Sequence, residues 1–254
     1  MRLFSSPIRR IISPLLVLAL WELASRMKLL DPLLVPAPTT IFSEMWRMLL
    51  DGSLISDIWA SFRRILVGFS ISAVISVAIG AFMARFELFD DMLDPLIELI
   101  RPISPLAIFP LALLWFGIGD ASKVFLIALS CSFPIIISTY AGVRGIDLSY
   151  VQVARSLGAT QLEIFVRVVL HGALPSIFTG LRLAWGIALI VIIASEMIGG
   201  VAGLGYMVLT AQQTFRVDRV FVGIMIIGAI GFATDQGFRA MRRKMLPWYQ
   251  ELRK

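Results

Sequence analysis

Six apolar stretches, each about 20 residues long, constrain the fold of this sequence more than any other feature. A helix needs about 20 apolar residues to cross a bilayer, where its backbone polar groups must all be satisfied internally. Of the 254 residues, 58% are hydrophobic and 16% are charged, too few polar side chains to cover a water-facing surface. The sequence therefore predicts an all-α membrane protein with about six transmembrane helices. The predicted spans cover residues 11–27, 65–84, 92–117, 122–143, 174–199 and 220–241.

Positive charge is biased towards one set of span ends. The chain contains 23 Lys and Arg residues against 17 Asp and Glu residues, and basic clusters lie at 9–10 and 242–244. Lys and Arg that flank membrane helices favour the cytoplasmic side. We therefore expect both termini in the cytoplasm. With six spans, the connection between the fourth and fifth spans also faces the cytoplasm.

The first outer connection, residues 31–61, is predicted to contain a helix of its own. Within it Ile41, Met45 and Met48 recur at helical spacing, and the threonine pair at 39–40 is the expected N-cap. Such a helix would lie at the membrane interface with its apolar face buried.

The sequence lacks the signatures of an ATPase and of a metal site. It contains no G-x-x-x-x-G-K-[ST] phosphate loop and no HExxH motif, and it has a single cysteine, Cys131, and a single histidine, His171. The basic surplus is better explained by membrane topology than by a nucleic-acid surface. We therefore expect no catalytic residue, no bound metal, no cofactor held by this chain and no nucleic-acid partner.

One polar segment interrupts the apolar sequence between the fourth and fifth predicted spans. In it Ser149 precedes Gln152 by three residues and Thr160 precedes Glu163 by three, which is the spacing of a helix capping box. Gly158 stands where the first helix would end in a left-handed residue. The segment therefore predicts two short helices joined by a glycine turn.

The second of these helices is predicted to be amphipathic. Glu163 and Arg167 could pair on its polar face. A helix of this length and polarity cannot cross a bilayer, so its apolar face must pack on the protein's own spans or on another protein. That face comprises the i, i+3, i+4 and i+7 residues Leu162, Phe165, Val166 and Val169.

The same segment resembles the coupling loop of permease subunits of bacterial ABC importers, whose pattern is E-A-A-x3-G-x9-I-x-L-P. Ala154, Gly158 and Leu170 match that pattern, whereas Gln152 replaces the usual Glu and His171 stands where Pro is usual. Further stretches, among them "LVPAPTTIF", "ARSLGAT" and "EMIGGVAGLGYMV", extend the resemblance over nearly the whole chain. They resemble the nitrate, sulfonate, taurine and bicarbonate branch of that family.

This resemblance implies the type I ABC importer permease fold, with a cytoplasmic coupling helix that docks on the ATPase. It implies a homodimer of permeases in the bacterial inner membrane, two cytoplasmic ATPase subunits that bind ATP and Mg, and an extracytoplasmic substrate-binding protein. The implied substrate is a small anion such as a sulfonate or taurine, nitrate or bicarbonate. The implied ATPase-coupling residues are Gln152, Ala154, Arg155, Gly158, Ala159, Leu170, His171 and Pro175.

On this basis the chain divides into three regions. Residues 1–30 are the N-terminal cytoplasmic tail and first span, residues 31–61 are the outer amphipathic connection, and residues 62–254 are the core permease domain. The core domain contains the coupling loop, residues 147–173.

Prolines and charges within the predicted spans indicate a translocation path. Pro102, Pro105 and Pro110 interrupt the third span, and irregular backbone at membrane depth is tolerated only inside protein or beside a water-filled cavity. A packing kink is the alternative explanation. Glu98 and Arg101 could likewise neutralise each other on one helix face rather than line a path. The predicted path or gate residues are Glu98, Arg101, Pro102, Pro105, Ser195, Glu196 and Gly203.

Other functions stay open on the sequence alone. An ion-coupled secondary transporter would usually contain internal inverted repeats, which this sequence does not show. A permease of the same type could instead carry an aromatic or pyrimidine compound. A membrane metalloenzyme is disfavoured because the chain contains only one histidine.

Overall fold

The computed structural model describes residues 6–27, 29, 31 and 33–246, with side chains described from residue 16 onward. The predicted tail residues 1–5 and the last residues, 247–254, lie outside the described part. Regular structure in the described residues is entirely helical, which confirms the all-α prediction. The helices are α1 (Ser6–Arg26), α2 (Pro38–Leu50), α3 (Ser53–Arg85), α4 (Glu87–Ile100), α5 (Pro105–Phe116), α6 (Asp120–Arg144), α7 (Leu148–Ser156), α8 (Gln161–Glu163), a π-helical segment (Ile164–Leu170), α9 (His171–Gly199), α10 (Leu204–Gln213) and α11 (Val217–Met245).

Helices α3, α6 and α9 pack side by side and form the centre of the bundle. Small residues let their backbones approach closely. A Cβ added at Gly68 of α3 would lie 2.8 Å from the Cβ of Ile127 on α6, and one added at Gly180 of α9 would lie 2.6 Å from the Cβ of Ser138 on α6. In lipid such close contact, rather than hydrophobic burial, drives helix association. The buried core includes Ile65, Phe109, Leu126, Ile127, Cys131, Ile135, Ala184, Trp185, Ala188 and Ile192.

Four of the six predicted spans are continuous helices long and apolar enough to cross a membrane. Among the described residues these are Ser53–Arg85, Asp120–Arg144, Gln161–Gly199 and Val217–Met245. The third predicted span is a bent pair, α4 and α5, which makes a fifth span if the pair is counted as one. The first predicted span coincides with α1, whose apolar run between Arg10 and Glu22 is too short to meet the same criterion.

The bend in the third span lies where the prolines predicted a break. Helices α4 and α5 are inclined at 100° to each other and are separated by residues 101–104. Pro105 occupies the first turn of α5, where its missing N–H is not needed. Pro110 lies inside α5 without ending it, so only the first part of the proline run interrupts the span.

Helix α2 is the predicted helix of the outer connection, but its cap differs from the prediction. Pro38 is the first helical residue after Ala37, so neither threonine is the N-cap. The Thr39 hydroxyl instead donates to Glu22 of α1 at 2.9 Å. Ile41 and Met48 are fully buried with residues of α3, α10 and α11, so the helix packs its apolar face on the protein.

Candidate functional site

The polar segment after α6 begins with helix α7. This helix starts at Leu148, because Asp147 is its N-cap and accepts the backbone N–H of Ser149 at 2.8 Å. The predicted capping box of Ser149 and Gln152 is therefore wrong, and Gln152 is exposed in the middle of the helix. The hydrogen bond from Ser149 lowers the pKa of Asp147, since it stabilises the ionised carboxylate.

The glycine turn and the second cap agree with the prediction. Gly158 has a φ of +82°, in the left-handed region that ends helices. The hydroxyl of Thr160 accepts the Glu163 N–H at 3.3 Å, and the Glu163 carboxylate accepts the Thr160 N–H at 2.9 Å. This carboxylate turns back to its cap rather than towards Arg167, so the expected ion pair of the polar face does not form in this described stretch.

The second helix of the segment is not a separate short element. From Gln161 the chain stays helical to Gly199, over 39 residues, so the segment and the fifth span are one rod. Residues Ile164–Leu170 are wound as a π-helix, and Pro175 lies inside the helix that follows. Gly172 and Pro175 both lie within this helix without ending it, so the expected short helix continues into the span.

The π-helical winding changes which side chains face the core. Wider turns rotate the residues away from a 3.6-residue repeat. Of the predicted apolar face, Phe165 and Val169 pack on the core, whereas Leu162 and Val166 are exposed.

Exposed apolar side chains cover the outer surface of this segment. Tyr150 and Val153 of α7 and its C-cap residue Leu157 lie at i, i+3 and i+7 and are 66%, 58% and 81% exposed, respectively. Together with Leu162 and Val166 they form what we call the apolar docking face. Among the predicted coupling residues, Gln152, Arg155, Gly158 and His171 are exposed, and Ala154, Ala159, Leu170 and Pro175 are half-buried.

Two cavities meet at the break between α4 and α5. One, of about 320 Å³, is lined by Arg101 and Pro105 together with Ser130 and Phe133 of α6. The other, of about 200 Å³, is lined by Arg101 and Glu98. No ion pair joins these two charged residues in the described structure, and both are exposed. Of the predicted path residues at this break, Glu98, Arg101 and Pro105 therefore line open space, with Arg101 shared by the two cavities, whereas Pro102 lines neither cavity.

The predicted gate residue Glu196 lies in a different place, at the far end of the rod from the docking face. Its carboxylate is fully buried. It accepts from the Ser61 hydroxyl at 2.9 and 2.8 Å, from Arg64 Nη1 at 2.6 Å and from the Gly205 N–H at 3.0 Å. A buried carboxylate needs such a set of donors, because burial without them costs several kcal/mol.

Arg64 extends this cluster to neighbouring elements. Its Nε donates to Asp120 of α6 at 2.6 Å, and its Nη1 also donates to the Ala202 carbonyl at 2.8 Å. Lys123 of α6, also buried, donates to the carbonyls of Gly119 and Gly199 at 2.9 and 3.0 Å. We call this set the outer charge cluster; it ties α3 and α6 to the end of α9 and to the loop at 200–203.

Gly203 closes the cluster. Its N–H donates to Asp57 at 3.0 Å, its φ is +119°, and a Cβ at this position would collide with the Glu196 carboxylate. The predicted gate residues Glu196 and Gly203 are thus in direct contact. Ser195 points away from them, because its hydroxyl donates to the Ile192 carbonyl at 2.9 Å.

Sequence reasoning missed most members of the outer charge cluster. Asp57, Ser61 and Arg64 recur at i, i+4 and i+7 on α3, a polar stripe at the start of an otherwise apolar helix. That stripe was the available signal for a shared polar face.

Arg182 forms an ion pair with a residue of another span. Its Nε donates to Asp235 of α11 at 2.5 Å, and Arg239 donates to the same carboxylate at 2.9 Å. The pair is partly exposed and joins α9 to α11.

Comparison with known proteins agrees with the resemblance to permease subunits over most of the chain. The family described as binding-protein-dependent transport system inner membrane component matches residues 76–247. The taurine transport system permease protein TauC of Escherichia coli (strain K12) is 34% identical over 241 residues, covering 93% of this chain and 88% of that protein. The bicarbonate transport system permease protein CmpB of Synechococcus elongatus is 35% identical over 224 residues, covering 84% and 81%.

Solved structures share the fold. A MetNI methionine ABC transporter chain matches with a TM-score of 0.60 at 17% identity, over 75% of this chain and 97% of that one. A chain of an amino acid ABC transporter matches with a TM-score of 0.58 at 21% identity, over 77% and 93%. The predicted fold, that of a type I ABC importer permease, is thereby confirmed.

These relatives are transport permeases rather than enzymes, and the ATPase of an ABC importer is a separate subunit. Membership of such a family implies an ATPase and a substrate-binding protein as partners. The apolar helices and the relatives together describe a multi-pass protein of the inner membrane. The chain therefore belongs to the binding-protein-dependent transport system inner membrane components, the permease subunits of ABC importers.

Proposed function

We propose that two copies of this chain form the translocation path for a small oxyanion or sulfonate, with two ATPase subunits docked on residues 149–171. ATP and Mg would be bound by those subunits. Both termini and the docking face would lie in the cytoplasm. An ion-coupled secondary transporter has no evident use for an exposed apolar face on a polar segment.

The apolar docking face carries the docking part of this proposal. Its side chains lie on a segment rich in polar and charged residues, beyond the core packing of the spans, so lipid does not readily cover them. Contiguous apolar groups with a polar rim are typical of a protein interface. Arg85, Arg144 and Arg155 lie at the same end of the bundle, which supports a cytoplasmic orientation.

Docking is tested by co-purification of the chain with the ATPase encoded beside it. Val153→Asp places a charge on the docking face, and we expect it to abolish co-elution and transport-coupled ATP hydrolysis. Val201→Asp is the matched control, because Val201 is also an exposed valine and lies in the loop at 200–203 of the other end. Retained ATPase binding in Val153→Asp, or equal loss in both variants, would contradict docking at this face.

Arg101 carries the substrate part of the proposal. Relatives are named for taurine and bicarbonate, both small and carrying an anionic group. The exposed guanidinium of Arg101 lines both cavities at the helix break. It is therefore suited to donate hydrogen bonds to such a group as the substrate moves through the path.

The substrate class is tested by uptake into vesicles that contain the whole importer and its binding protein. We expect uptake of a sulfonate, nitrate or bicarbonate, and a fall of about tenfold in Arg101→Ala, the loss of one charge-assisted hydrogen bond of roughly 1.4 kcal/mol. Basal ATPase activity should be unchanged, and Arg101→Lys should retain part of the uptake. Failure of Arg101→Ala to assemble would show a structural role, and uptake of an aromatic compound alone would contradict the anion assignment.

A further inference from the structure

A cavity of about 300 Å³ lies behind helix α7, on the side opposite the apolar docking face. Leu148, Val151 and Arg155 of α7 line it at i, i+3 and i+7, whereas Tyr150, Val153 and Leu157 face outward at the same spacing. The helix therefore has two faces with different surroundings. One is free to contact a partner, and the other stands over a cavity in the protein's own body.

Three arginines from three different elements line this cavity. Arg85 ends α3, Arg144 ends α6 and Arg155 lies on α7. None of the described lining residues is acidic. The walls between the arginines are apolar and include Val143, Ile164, Phe165 and Val169.

The positive charge at the cavity is only partly compensated. Arg144 pairs with Asp90 at 2.7 Å and lies 5.0 Å from the ring centroid of Tyr140. Arg85 lies over the ring of Phe86 at 5.4 Å. Neither Arg85 nor Arg155 forms an ion pair with a carboxylate of the described residues, so two guanidinium groups line one cavity without a paired carboxylate in that part of the chain.

We propose that this cavity binds a phosphate-type oxyanion, supplied by the headgroup of an anionic membrane phospholipid. Guanidinium groups match a phosphate in geometry and charge. The cavity opens where α3 and α6 end, which is the depth of lipid headgroups, and its apolar walls suit the glycerol and first acyl carbons. A free phosphate ion would use the arginines but not those walls.

This site gives the membrane a direct contact with the docking helix. The occupant would hold Arg155 on α7 to Arg85 on α3, and so fix the position from which the docking face meets its partner. The inference rests on the proposed function only in assigning the site to the cytoplasmic leaflet. Binding itself is a property of the chain alone.

The test measures lipid binding to the full chain without the ATPase, by native mass spectrometry after delipidation. Phosphatidylglycerol is titrated against phosphatidylcholine and against inorganic phosphate. We expect the chain to retain phosphatidylglycerol preferentially and the variant Arg85→Gln/Arg155→Gln to lose affinity roughly fivefold per arginine. Arg167→Gln is the matched control, because Arg167 is exposed on the same segment but does not line the cavity.

A second variant keeps the test independent of the arginines. Val151→Phe narrows the cavity without changing charge, and we expect it to lower phosphatidylglycerol retention as well. Equal retention of the two lipids, or an unchanged affinity in both the arginine and Val151 variants, would overturn the site. Inorganic phosphate that binds with the same arginine dependence, with no preference for phosphatidylglycerol, would overturn the lipid source. Failure of the ATPase to co-purify would leave all these results unaffected.

Discussion

The two ends of the helical rod Gln161–Gly199 are built in opposite ways. At one end, Glu196 and Arg64 are buried, and each is satisfied by several groups from neighbouring elements. At the other end, α7 and the start of the rod are fixed by local hydrogen bonds, those of Asp147 and Thr160 respectively, and the apolar side chains of α7 are exposed. One end is held in a single geometry by buried contacts, and the other leaves apolar side chains exposed.

The energetic consequences of this contrast differ in size. Removing one member of a buried charge pair costs about 3–5 kcal/mol, since the other charge is left uncompensated. Exposed polar contacts contribute much less, because water replaces them. Substitutions at the outer charge cluster should therefore affect stability, while substitutions at the docking end should affect local order and partner binding.

The largest effect is expected from Glu196→Gln. A mild effect of this variant would contradict the difference between the two ends. The variant removes the buried charge that accepts from Arg64, Ser61 and Gly205 and leaves Asp120 as the remaining carboxylate partner of Arg64, so the free energy of unfolding should fall by about 3 kcal/mol. Thermal unfolding of the purified chain, followed by tryptophan fluorescence, measures this loss. Glu98→Gln is the control, since Glu98 is exposed and should change little. Equal stability of the two variants would show that the outer charge cluster does not hold the bundle together.

A pair of glycine variants sharpens the comparison. Gly203 and Gly158 both have positive φ, but a Cβ at Gly203 would meet Glu196 whereas a Cβ at Gly158 would meet nothing within 4 Å. Gly203→Ala should cost about 3 kcal/mol, from strain and collision together, and Gly158→Ala about 1 kcal/mol from strain alone. The same unfolding measurement compares them. A larger loss in Gly158→Ala would mean that the docking end is the more constrained of the two.

The smallest effect is expected from Asp147→Ala, which frees the first turn of α7. Hydrogen–deuterium exchange of amides 149–151 should accelerate, with no change at 196–205, because the cap satisfies only local groups. Since folding lowers the pKa of Asp147 below its ordinary 3.8, the cap is present above that pH and is lost as the pH falls through the lowered value. Protection relative to the intrinsic exchange rate that does not fall with acid in this range, or a loss of protection that spreads to the outer charge cluster, would contradict a local role.

The sequence predicted the docking end better than the outer charge cluster for a physical reason. A capping box and a glycine turn depend on residues within three or four positions, so Thr160, Glu163 and Gly158 could be assigned from spacing. Arg64 and Ser61 meet Glu196 across 132 and 135 residues of chain, and no local pattern encodes that meeting. The spans themselves follow from hydropathy, and the bend at 101–104 from its prolines. The π-helical winding was out of reach, because apolar spacing alone does not distinguish it from an α-helix.

The unbroken helix between Glu163 and Glu196 has a mechanical consequence. At 1.5 Å per residue its 33 intervals span about 50 Å, so it acts as a lever whose pivot is anchored in the outer charge cluster. A tilt of roughly 5° about that pivot would carry the free end about 4 Å sideways at this length. A small displacement of the Glu163 end can thus reorient the whole span. The π-helical turns Ile164–Leu170 next to that end are where the helix would deform first.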